Sequence, residues 1–169
     1  MNPPFSTLLT ASLTCLAASA QTQTFKYVAS DADPSEAFGH VVKVDGNYAV
    51  IGARNAVING VDTGAVYVFD RTSGQELYQI APVDGEAADK FGFSIALENG
   101  ILLVGSPHHE HNGEVYIYDL STGLEVGRLL PNVLEDDGHF GIGVDIEGSL
   151  AVVSGFVRDA VAVDSGEAF

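Results

Sequence analysis

The sequence predicts an all-β protein, a β-propeller-like array of four-stranded antiparallel blades, about three repeats long and short of a complete ring. Three observations predict it. Phe-Gly pairs recur at Phe38-Gly39, Phe91-Gly92 and Phe140-Gly141, each opening a unit of about 50 residues. A glycine closes an apolar run at the same place in the first two units, Gly52 and Gly105, with Ser154 in the third. A second apolar run follows from Gly64 and Gly113, and both runs are apolar at consecutive positions. A sheet with one wet face alternates; continuous apolar strands are buried on both faces, as in stacked blades.

Each unit parses into four strands. Strand A follows Phe-Gly at residues 41–44, 94–97 and 143–146. Tight turns come next, Asp45-Gly46-Asn47, Glu98-Asn99-Gly100 and Glu147-Gly148-Ser149, whose residues tolerate positive φ and join antiparallel strands. Strand B is the first apolar run, at residues 48–51, 101–104 and 150–153. Strand C is Val66-Tyr67-Val68-Phe69 in the first unit and Val115-Tyr116-Ile117-Tyr118 in the second. Strand D is expected at residues 76–80 and 125–130, after turns that end at Gly74 and Gly123. The Phe of each Phe-Gly pair is expected to wedge between neighbouring blades, and the Gly to permit a close approach that a Cβ would block. The spacing varies in one place: the B–C connection is four residues shorter in the second unit than in the first.

These residues resemble the FG-GAP repeat family, found in integrin alpha-subunit propellers and in many secreted bacterial proteins. The resemblance rests on the three Phe-Gly pairs, on Ile51-Gly52-Ala53 and Val104-Gly105-Ser106-Pro107, and on the Gly-x-Val-Tyr segments. It implies the propeller fold. Calcium loops of the Asp-x-Asp-x-Asp-Gly kind, frequent in integrin-type repeats, have no counterpart: the A–B turns carry at most one carboxylate, and calcium takes six to eight oxygens.

The blades occupy residues 21–169, with repeats near 38–90, 91–139 and a truncated 140–169. Residues 1–20 read as a signal peptide, a short apolar stretch ending in Ala18-Ser19-Ala20. No segment is long enough to span a bilayer. Cys15 is the only cysteine and lies within that leader, so disulfides are not expected to hold the mature fold. Residues 25–28 stand where a strand D would precede the first Phe-Gly, so they are expected to complete the last blade of a longer ring. Missing blades, or self-association through unpaired blade faces, are the corresponding partners.

The chain carries 23 Asp and Glu against 7 Lys and Arg, a net charge of −16. That balance excludes nucleic acid and anionic membrane surfaces as partners, and it favours cations or basic ligands. In a four-stranded meander the B–C and D–A loops share one end of every blade. The D–A loops repeat an acidic group there: Asp31, Asp33 and Glu36; Asp84, Glu86 and Asp89; Glu135, Asp136 and Asp137. Stacking gathers them on one rim, a candidate binding surface, although a solvated set of loop charges has the same composition. The second B–C loop offers His108, His109, Glu110 and His111, imidazole and carboxylate donors for a divalent cation if the loop presents them together. No cofactor is expected otherwise. No Gly-x-Ser-x-Gly elbow, phosphate loop or His-Glu-x-x-His occurs. The expected function is therefore a secreted, non-enzymatic binding or adhesion module that takes a protein or carbohydrate ligand on its acidic rim. The alternatives are the propeller part of a larger exported hydrolase or quinone-type oxidoreductase, and a structural repeat of an envelope or matrix.

Overall fold

The computed structural model describes residues 25–131, 138–155 and 167–168. The expected leader at residues 1–20 and the rim candidates Glu135, Asp136 and Asp137 lie outside them. The first blade comprises β1 (Phe38–Asp45), β2 (Tyr48–Ala53), β5 (Ala65–Asp70) and β6 (Glu76–Ile80), in the order β1-β2-β5-β6. A small hairpin, β3 (Val57–Ile58) and β4 (Val61–Asp62), fills its B–C connection. The second blade is β7 (Ser94–Glu98), β8 (Ile101–Ser106), β9 (Glu114–Asp119) and β10 (Leu124–Leu129), again a simple meander. The third holds β11 (Gly143–Glu147), β12 (Leu150–Gly155) and β13 (Glu167–Ala168), three strands among the described residues. All pairings within the blades are antiparallel. The four-strand parse is thus borne out. The hairpin was not expected: the longer first B–C loop folds on itself around Asn59-Gly60, a two-residue turn with φ of 53° and 86°. In the second blade a short 3-10 turn, His109–His111, takes its place.

The blades stack with their A strands adjacent, β1 against β7 and β7 against β11. Burial explains the unbroken apolar runs. Val50, Val66, Val68 and Ile80 of the first blade pack against Ile95, Leu102, Val104 and Tyr118 of the second. On the far face of the second blade, Ala96, Leu103 and Val115 meet Phe140 and Val153 of the third. Strands B and C of the first two blades therefore each feed two cores from alternate residues, and either face left wet would lose about 25 cal/mol per Å² of apolar area.

The Phe-Gly corner is the joint between blades. Phe91 is fully buried and lies edge-on to Tyr116 and Tyr118 at 5.2 and 6.1 Å; Phe38 repeats this on Tyr67 and Phe69 at 5.4 and 6.3 Å. The glycine that follows has φ of +82° at Gly92 and +91° at Gly141. A Cβ on Gly92 would stand 2.7 Å from the Ala65 carbonyl oxygen of the preceding blade. The preceding blade must be bare as well, since a Cβ on Gly52 would collide with the Gly92 carbonyl, and one on Gly105 with the Gly141 carbonyl.

Residues 25–29 form no strand within this chain. They do lie over the open face of the first blade: the rings of Tyr27 and Phe69 are 5.1 Å apart, and Ala29 is buried with Ala49, Ile51 and Tyr67. No helix among the described residues is long and apolar enough to cross a membrane.

Candidate functional site: the loop rim

The D–A loops of the first two blades fold alike. Glu36 and Asp89, 4% and 3% exposed, each turn a carboxylate back onto a backbone amide three residues earlier. Glu36 Oε2 accepts from Asp33 N at 3.2 Å and Asp89 Oδ2 from Glu86 N at 2.7 Å. Asp31 and Asp84, at the start of the two loops, accept from the strand C hydroxyls of Tyr67 and Tyr116 at 2.7 and 3.3 Å. Burial, reinforced by those carboxylates, pushes both phenols well above their ordinary range. Gln79 Nε2 adds a 2.9 Å bond to Asp31 Oδ2. Asp31 and Asp84 thereby hold the loops to the blades, and Glu36 and Asp89 brace the loops internally. Asp33 and Glu86 remain exposed at the loop tips, although Asp33 also caps Ser35, whose hydroxyl and amide hold its carboxyl below the usual range.

The second blade adds a charged cluster. His109 is 3% exposed, and its Nδ1 lies 2.8 Å from Asp89 Oδ2. Burial opposes charge on this ring, but the Asp89 hydrogen bond and the charges of Asp89, Glu114 and Asp84 prevail and raise its pKa above the ordinary value. Burial also raises the Glu114 carboxyl, against the pull of His109 and Arg128. Arg128, on β10, bonds Asp84 at 2.6 Å, Glu125 at 2.7 Å and Glu114 at 3.2 Å, with its guanidinium 4.3 Å above the Tyr116 ring. Against the desolvation of Asp84, Arg128 holds that carboxyl below its usual range.

Two clefts flank the 3-10 turn. One, of about 300 Å³, is lined by Ala87, Ala88, Pro107, His108, His111 and His139. In it the rings of His108 and His139 meet edge-on at 4.9 Å. The other, of about 440 Å³, lies between His109, Glu110, Asn112, Glu114 and Leu130-Pro131. Ala88, Glu110, His111 and His139 around them hold positive φ, from 46° to 72°, conformations that cost non-glycine residues free energy and persist only where the surroundings impose them.

The expected ligand set of His108, His109, Glu110 and His111 is not brought together. His109 turns inward to Asp89 while the other three side chains are exposed, and no group of three His, Cys, Asp or Glu among the described residues has metal-binding geometry. His40, the other histidine beside a Phe-Gly pair, sits edge-on to Phe93 at 5.2 Å, and burial, then the nearby Arg54 charge, lowers its pKa. Sequence reasoning missed Tyr67, Tyr116, Glu114 and Arg128 as parts of the rim. The pairing of an Asp and a Tyr at matching places in both repeats was the available signal for the tyrosines; Arg128 occurs once and had none.

Two loop types joined to a stack of β-meanders define a propeller-like scaffold with its acidic loops at one end. The FG-GAP repeat pattern matches residues 21–69 and 75–118, more than half of the chain, and the chain belongs to the FG-GAP repeat family. No curated protein matches it. Among solved structures it is similar to a chain in the crystal structure of a mitotic checkpoint complex, at 19% identity and a TM-score of 0.49. That match covers 68% of this chain and 30% of the other.

Proposed function

We propose that this chain is a non-catalytic binding module acting outside the cytoplasm, and that it holds a basic protein segment or a carbohydrate at the loop rim of its second blade. One observation carries the reading: Asp89–His109 and Asp84–Tyr116–Arg128 fix the D–A loop and strand C of one blade to each other, leaving Glu86, Glu110, His108 and His111 exposed around two clefts. Binding residues commonly sit on such loops, positioned by a scaffold that does not move. The acidic balance of the chain favours a cationic ligand and steers it toward the rim. The leader-like residues 1–20 and the family's frequency in secreted proteins support the location.

The test is binding of a lysine-rich peptide, followed by calorimetry at low and at physiological salt. Replacing Glu86 and Glu110 with Gln is expected to weaken binding about ten-fold at low salt, a loss that shrinks as salt rises. Equal affinity for the wild type and the double variant would remove the rim from consideration.

A further inference from the structure

Three Asn-Gly pairs lie among the described residues: Asn59-Gly60, Asn99-Gly100 and Asn112-Gly113. Such a pair has a chemistry of its own. The glycine amide nitrogen can attack the asparagine side-chain carbonyl carbon, because no Cβ on the second residue stands in the way. The attack needs an N–H that is not donating elsewhere, and a backbone able to swing that nitrogen toward Cγ. The fold meets these conditions unequally at the three sites.

At Asn112 every reacting group is held. Gly113 is buried and its N–H donates to the His109 carbonyl at 2.8 Å. Asn112 Nδ2 donates to the Glu110 carbonyl at 3.0 Å, and the Asn112 main-chain carbonyl accepts from Phe140 N at 2.9 Å. Asn99 is more open, but its turn is pinned on both sides. Asn99 N donates to Asp45 Oδ2 of the first blade at 2.7 Å, and the Gly100 carbonyl accepts from Leu120 N at 2.9 Å. Swinging that turn would break both bonds.

Asn59 and Gly60 form the tip of the β3–β4 hairpin, and both are exposed. Among the described residues neither makes a hydrogen bond outside the hairpin, and a Cβ on Gly60 would meet nothing within 4 Å. The strands below the tip are two residues each, and their Val57 and Val61 are 50% and 38% exposed. So short a hairpin, with so little buried, opens at small cost. Its base is anchored. The Asp62 carbonyl accepts from Ala88 N at 2.8 Å, the Asp62 carboxylate pairs with Lys90 at 3.2 Å, and the Ala56 carbonyl accepts from Gly64 N at 3.0 Å. The tip can therefore open and reclose while the blades stay packed.

We propose that Asn59 is a self-modification site, where the chain converts its own asparagine to aspartate and isoaspartate without an enzyme. The Gly60 nitrogen loses its proton to hydroxide and bonds to Asn59 Cγ. The side-chain nitrogen leaves as ammonia, taking a proton from water, and a five-membered succinimide closes. Water then opens the ring. Addition at Cγ gives aspartate, and addition at the Asn59 main-chain carbonyl gives isoaspartate. The sum is one water consumed and one ammonia released. Either product adds a negative charge to the B–C connection of the first blade. Isoaspartate also adds a carbon to the main-chain path, so the two-residue turn no longer closes the pairing of Ile58 with Val61. The step does not depend on what the loop rim binds.

The test holds the full chain in mildly alkaline buffer, digests samples at intervals and weighs the peptides by mass spectrometry. The peptide carrying Asn59 is expected to gain one mass unit and to split into two chromatographic species, about ten-fold faster than the peptide carrying Asn99 reacts. Asn112 should be slowest. In urea the three rates should converge, because only the shared Asn-Gly pair then sets them. Asn59→Gln, whose longer side chain would have to close a six-membered ring, should leave its peptide unchanged over the same interval. A folded chain in which Asn99 or Asn112 reacts as fast as Asn59 would overturn the proposal. So would an Asn59 that stays intact in the folded chain.

Discussion

His109 and Asp89 set the behaviour of the rim at the level of single residues. Their side chains are each 4% exposed, so removing one partner leaves the other buried without its counter-charge. Asp89→Asn is expected to lower the unfolding free energy by about 3 kcal/mol, measured by urea denaturation. The pH dependence has a definite sign. The folded pKa of His109 lies above the unfolded value, so the proton is held more tightly in the folded state. Its contribution is fully present below about pH 6.5 and is lost as pH rises through the folded value. A thermal midpoint that falls across the neutral range in the wild type should flatten there in His109→Gln. An identical pH profile in the two proteins would mean that the ring is neutral in the folded state.

At the scale of elements, the glycines at strand ends are where one blade admits the next. Gly105→Ala would drive a Cβ into the Gly141 carbonyl and the Ser94 hydroxyl, and neither the backbone nor a hydrogen-bonded serine can withdraw cheaply. The expected loss is about 3 kcal/mol, as for overpacking of a tight site. Gly46→Ala, at positive φ where Gly105 is not, but with nothing within 4 Å of the added carbon, should cost about 1 kcal/mol from backbone conformation alone. A loss at Gly105 no larger than the one at Gly46, measured in one denaturation series, would show that blade contact does not govern the Gly105 site. Strands β2, β5, β8 and β9 were legible in the sequence because they are buried on both faces and closed by turn residues, which fixes both period and length. Strand β6 falls at the predicted residues 76–80 because the turn ending at Gly74 sets its start, although its alternate residues are exposed. The β3–β4 hairpin was not legible: two-residue strands leave no period, and only Asn59-Gly60 hinted at it. At the rim, the repeated acids were legible as a set. Which of them turn inward was not, because Asp89 and Glu86 look alike until the loop places one under the 3-10 turn and the other at its tip.

For the whole molecule, the absence of tryptophan leaves tyrosine as the chromophore, and the tyrosines sit at its joints. Tyr48 and Tyr78 of the first blade both donate to the Leu120 carbonyl of the second, at 3.3 and 2.6 Å. Burial pushes the Tyr78 phenol up to about 12, and Tyr116 and Tyr118 inside the stack are raised further. An alkaline titration read by phenolate absorbance should therefore be delayed for Tyr67, Tyr78, Tyr116 and Tyr118. Those phenols change colour only when the blades part. The stack carries its own optical gauge of cohesion, and a late, abrupt rise would report the parting of the blades without any attached dye.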